Sequence, residues 1–116
     1  MKLLTKEIES KMPALGTTDG VPLEQKRIVC KFFDPQGSWT WFVFEGSAVL
    51  ADGTEVPMQD PRAKDRVDVS FFGMVHGLDR EMGYFSLNEL ASVRGRFGLG
   101  IERDLHFSGM TMADVR

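Results

Sequence analysis

Cysteine is nearly absent from this sequence: one residue in 116, Cys30, which rules out an internal disulfide. With only two histidines beside that thiol, no structural zinc pattern can be assembled. There is no apolar run of the length a membrane span needs, and Met1 to Leu4 leads into charge rather than into the apolar core of a signal peptide. A soluble protein of a reducing cytoplasm is expected. Large charge of one sign is also missing: 14 Lys and Arg against 17 Asp and Glu give a formal charge of -3. That balance argues against nonspecific attraction to nucleic acid or to an anionic membrane surface, and equally against an acidic DNA mimic. No serine sits in a nucleophile elbow and no glycine-rich stretch matches a phosphate-binding loop.

What is present is enough for one domain. A chain of this length can bury roughly two-thirds of its unfolded surface without a covalent staple. Thr5 is a competent N-cap for a short amphipathic helix over Lys6 to Met12, in which Leu4, Ile8 and Met12 recur at helical spacing and which stops before Pro13. Arg27 to Phe33 reads as a strand in which Cys30 is an inert buried thiol. Asp34-Pro35-Gln36-Gly37 has type I turn chemistry, and Ser38 to Phe44 returns as the second arm of an antiparallel hairpin. Both faces of that second arm carry large apolar groups, so it belongs at the centre of the sheet. Glu45-Gly46 interrupts it, with a bulge expected there before Ser47 to Leu50 continues.

Residues 55–68 hold Pro57, Pro61 and seven charged side chains, and read as a long exposed loop. Val69 to His76 alternates as a third strand, Gly77 to Gly83 reads as a charged reversal, and Tyr84-Phe85 as a short fourth strand. Ser86-Leu87-Asn88-Glu89 matches a capping box opening a helix of about two turns. Arg94 and Gly95 suit its C-terminal end. Ile101 to Phe107 alternates as a possible edge strand. The fold class expected is α+β: a single domain with a four- or five-stranded antiparallel sheet packed by two or three short helices.

The chemically suggestive side chains lie together near the C-terminus. A strand would project Glu102, Asp104 and His106 from one face, within reach of a divalent metal or a proton-transfer site, which opens a metal-dependent hydrolase as one reading. A solvated edge strand gives the same pattern and is the favoured reading, with no metal and no catalytic residue assigned. Arg94, Arg96 and Arg103, interleaved with Gly95, Gly98 and Gly100, could hold a phosphate or carboxylate of a partner, or serve a nucleic-acid-binding accessory factor. Helix termination and pairing with Glu102 or Asp104 account for them more simply. His76 reads as a strand-end histidine with a satisfied hydrogen bond. Nothing in the pattern demands a cofactor.

The order of sequence blocks carries a resemblance. LLTKEI (3–8) with PAL (13–15), KFFDP (31–35), WTWFV (39–43), FFGMVHG (71–77), GYFSLNEL (83–90) and SVRGRFGLGIERDLHF (92–107) resemble an uncharacterised family of short bacterial proteins. Its members are encoded on plasmids, conjugative elements and prophages, some of them near antirestriction proteins. The resemblance implies a mobile-element accessory protein, and a non-enzymatic one: a binder of a host defence complex, restriction or CRISPR, by protein–protein contact. It transfers no residue roles.

Overall fold

A computed structural model of the chain describes residues 2–95, 98–107 and 109–115. Thr5 opens the first helix, α1 (Lys6–Lys11), where its hydroxyl accepts the Ile8 amide at 3.2 Å. Six strands follow: β1 (Cys30–Phe33), β2 (Thr40–Val49), β3 (Glu55–Pro57), β4 (Asp68–His76), β5 (Arg80–Ser86) and β6 (Glu102–Arg103), with α2 (Leu87–Ser92) between the last two. They form one sheet in the order β5-β4-β2-β1-β6, with β3 also on β2, and every pairing is antiparallel. The α+β class holds, but the sheet has six strands rather than four or five. Two short α-helices and three 3-10 turns accompany it.

Two differences from the expected strands stand out, and the first of them adds a strand. The 55–68 segment is not an unstructured exposed loop: Val56, Met58 and Ala63 are buried, β3 pairs with residues 47–49, and Pro61–Asp65 forms a 3-10 turn capped by Asp60. Arg66 ties the segment to α1 through Glu9 at 3.1 Å, and Gln59 Nε2 donates to the Glu9 and Met12 carbonyls. Three apolar anchors among seven charges were enough to dock it. Likewise β5 begins at Arg80, so the reversal after β4 is only Gly77 to Asp79. The charged Arg80 and Glu81 are strand residues paired with His76 and Val75.

As its apolar pattern requires, β2 is central. Its register skips one residue between Val43 and Glu45, so the bulge falls at Phe44, next to the expected interruption. On one edge β2 pairs with β1 through residues 40–43 and with β3 through residues 47–49; in the gap, the Gly46 amide donates to the Pro13 carbonyl at 2.9 Å. Apolar side chains pack on both faces. One cluster joins Cys30, Phe32, Val43, Ala48, Val69, Phe71 and Phe85 with Met12, Leu90 and Ile101, and the other joins Phe42, Phe44 and Met74 with Ile28 and Met112.

Ser86 caps α2, its hydroxyl accepting the Glu89 amide at 3.1 Å. Ser86→Ala should therefore lower stability by about 1 kcal/mol, read as a lower urea midpoint at unchanged slope. An unchanged midpoint would mean that the cap adds nothing beyond the packing of Leu90.

Candidate functional site

Among the described residues, the predicted C-terminal side chains of Arg94, Glu102, Arg103, Asp104 and His106 do not converge on one site. Arg94 Nη1 donates to the Ala91 and Val93 carbonyls at 2.7 and 2.8 Å, so its guanidinium closes the C-terminal end of α2. Arg103 is directed to the other end of the chain, where Nη1 donates to the Lys2 and Leu3 carbonyls and holds the N-terminal segment against β6. Asp104 pairs with Lys31 at 3.6 Å, and its Oδ1 accepts the His106 amide at 2.9 Å, turning the chain so that His106 is exposed. The strand thus ends at Arg103, before the alternation that would align Glu102, Asp104 and His106 is complete. Arg96 lies outside the described residues. Among the described residues, no group of three or more His, Cys, Asp or Glu could hold a metal ion. Arg94 and Glu102 do share a hollow of about 550 Å³, with Leu3, Leu90 and Leu99 on its walls.

Charge is buried instead in a place the sequence did not advertise. Glu45 is 1% exposed in the middle of β2. The bulge at Phe44 sets it opposite Phe72, on the side of the sheet crossed by the 13–20 loop. Its Oε1 accepts the Gly16 amide at 2.8 Å, and its Oε2 accepts the Thr18 amide at 2.8 Å and the Thr18 hydroxyl. Lys26, also buried, donates from Nζ to the Thr18 carbonyl at 2.6 Å and to Thr18 Oγ1 at 3.1 Å, lying over the Phe44 ring. Burial pushes the Glu45 carboxyl upward, but the Thr18 hydroxyl, the two amides and the nearby Lys26 outweigh it and hold the group below its ordinary value. The only signal in the sequence was an acid inside an aromatic strand. Cys30, by contrast, is as inert as its neighbours predict: burial pushes its thiol up to about 12.

A cleft of about 540 Å³ opens beside this network, between α1, the loop carrying Thr18 and Val21, residues 25–29, and Phe107. The remaining conspicuous surface is the β4–β5 hairpin at the end of the sheet. Tyr84 is 74% exposed and packs on Phe72, Met82 stands beside it, and the turn carries Leu78 at 93% exposure. On the opposite face Trp39 lies against Gly77 and Trp41. His76 packs edge-on to Phe42, where burial and the neighbouring Arg80 lower its basicity.

Residues 58–114 match a family described as protein of unknown function (DUF2958). The matched span is just under half of the chain and contains β4, β5, α2 and β6, hence the hairpin and, apart from Leu3, the lining of the Arg94–Glu102 hollow. No curated protein and no solved structure matches the chain. The DUF2958 match agrees with the sequence resemblance in its coarse form, a family without an assigned activity, and brings no residue roles with it. No helix among the described residues is long and apolar enough to cross a membrane.

Proposed function

We propose that this protein is a non-enzymatic binder carried by a mobile element, acting in the bacterial cytoplasm on a host defence complex of the restriction or CRISPR type. The observation that carries a binding role is the unpartnered β5 edge, bordered by Met82 and Tyr84 on one face and by Trp39 and Leu78 on the other. A terminal strand offers a row of backbone donors and acceptors, and an extended segment of a partner can add to it while its side chains rest on the flanking aromatics. Aromatic anchors of this kind dominate protein interfaces. The commitment of Arg94 to the end of its own helix and of Arg103 to the N-terminal carbonyls favours a protein partner over nucleic acid. The mobile-element context rests on the resemblance in block order along the chain.

The full chain, immobilised and exposed to lysate of a restricting or CRISPR-active bacterium, should recover a defence subunit, and its expression should relieve restriction or interference. Met82→Lys and Tyr84→Glu should each weaken capture roughly tenfold or more with only a small change in melting temperature, because both side chains are exposed and Tyr84 loses only its contact with Phe72. Recovery of no defence protein, together with undiminished restriction and interference, would remove this reading.

A further inference from the structure

The cleft beside Lys26 has the dimensions and chemistry of a small-molecule site. Its volume of about 540 Å³ falls within the range of ligand pockets, roughly 300–1,000 Å³. Ile8, Val21, Ile28, Val29, Phe44 and Phe107 make its walls largely apolar. Its cationic lining is Lys11, Lys26 and Arg27 against a single acid, Glu7, which is already paired with Lys11 at 3.3 Å.

Lys26 decides the polarity of the ligand. It is 6% exposed, and its ammonium has three hydrogens for two acceptors, both on Thr18. Glu45 makes no ion pair with it among the described residues; the carboxylate accepts from Gly16 and Thr18, and its charge acts on Lys26 through space, with Thr18 between them. A buried cation held by Thr18 and the Phe44 ring, lining an apolar cleft with Arg27 among its lining residues, is complementary to one anionic oxygen group on an apolar body. We propose that this cleft binds an amphipathic monocarboxylate, a medium-chain acyl or arylalkyl acid, with its carboxylate on Lys26 and Arg27 and its hydrocarbon between Ile8, Val21, Phe44 and Phe107. This site is separate from the β5 edge, and its occupancy does not depend on the protein having a defence partner.

Octanoate, hexanoate and octan-1-ol, titrated into the full chain by calorimetry with backbone amide shifts as a second readout, test the assignment. Octanoate should bind with shifts at residues 18–29 and Phe107. Hexanoate should bind roughly fifteenfold more weakly, about fourfold for each methylene removed. Octan-1-ol should bind at least about tenfold more weakly than octanoate, the smallest difference expected for losing a charge-assisted hydrogen bond. Lys26→Met should erase the preference for the acid over the alcohol. Because Lys26 also braces Thr18, Val21→Trp provides a second variant that fills the cleft from its rim and should abolish binding of both compounds while leaving Lys26 in place. Absence of octanoate binding, equal affinity for acid and alcohol, or octanoate binding untouched by Val21→Trp would each overturn the assignment.

Discussion

Glu45→Ala should cost about 3–5 kcal/mol of unfolding free energy, the range for leaving a buried charge uncompensated, here that of Lys26. The loss is larger than that of an ordinary hydrogen bond because three donors converge on this carboxylate: the Gly16 amide, the Thr18 amide and the Thr18 hydroxyl. Without it, those groups and the buried Lys26 would face a void lined by Phe44. Set against a typical domain stability of about 5–15 kcal/mol, such a loss removes a large share of the total. Guanidinium unfolding of Glu45→Ala, Lys26→Met and the double variant forms a cycle that separates the two contributions. The double variant should be less damaged than the sum of the single ones, since the second change removes the charge that the first left uncompensated. Strict additivity would mean that the two groups do not sense each other through Thr18.

The same carboxylate gives the protein part of its acid sensitivity, with a definite sign. Its value in the folded state lies below the 4.5 of the free group, so the unfolded chain takes up the proton first as pH falls. The stability it contributes is complete above pH 4.5 and is lost as pH drops through the folded value. The gap between wild type and Glu45→Ala should therefore be constant from pH 8 to about pH 5.5 and narrow in more acidic solution. Asp52 and Asp60 are also held low, Asp52 by the Thr54 amide and Asp60 by Arg62, but they are present in both proteins and drop out of the difference.

Local chemistry made part of this architecture legible in advance. The hydroxyls of Thr5 and Ser86 cap the helices they were expected to cap, and Arg94 closes α2. Apolar groups on both faces of Thr40 to Phe44 placed that strand at the centre, and the flanks of Cys30 marked it as buried. Each of these inferences needs only neighbours within a few residues. What failed depends on partners far away in sequence. β3 is three residues long and becomes a strand because Ser47 to Val49 lie beside it, while Arg80 to Gly83 look like a turn until Val75 and His76 supply their ladder.

The site residues divide in the same way. Glu102, Asp104 and His106 share a face only if the strand persists through them, and the turn fixed by Asp104 and the His106 amide ends that alignment. The acid inside an aromatic strand was the one local hint of Glu45 and did not point to Lys26, because the bulge that turns Glu45 toward Thr18 and the loop that brings Thr18 to it are separate features of the chain. Patterns of period two can assign a residue to a face. They cannot reveal that a loop from 27 residues away will satisfy a carboxylate there.

Two glycines paired with each other near the bulge should respond oppositely to substitution. Gly73 and Gly83 face each other across β4 and β5, and neither has a backbone conformation closed to other residues. A Cβ on Gly73 would lie 1.9 Å from the Phe42 carbonyl oxygen and 2.9 Å from its carbon, just before β2 shifts register. These are main-chain atoms of the central strand, so no rotamer change relieves the overlap, and β2 and β4 would have to separate. Gly73→Ala should then cost about 3 kcal/mol, the upper end of the overpacking range. A Cβ on Gly83 meets nothing within 4 Å, and Gly83→Ala should stabilise by about 0.4–1 kcal/mol through the lost freedom of the unfolded chain. Thermal and urea unfolding of the two variants should therefore move in opposite directions from wild type. Equal shifts would mean that the Phe42 carbonyl does not approach Gly73 of β4 as closely as described.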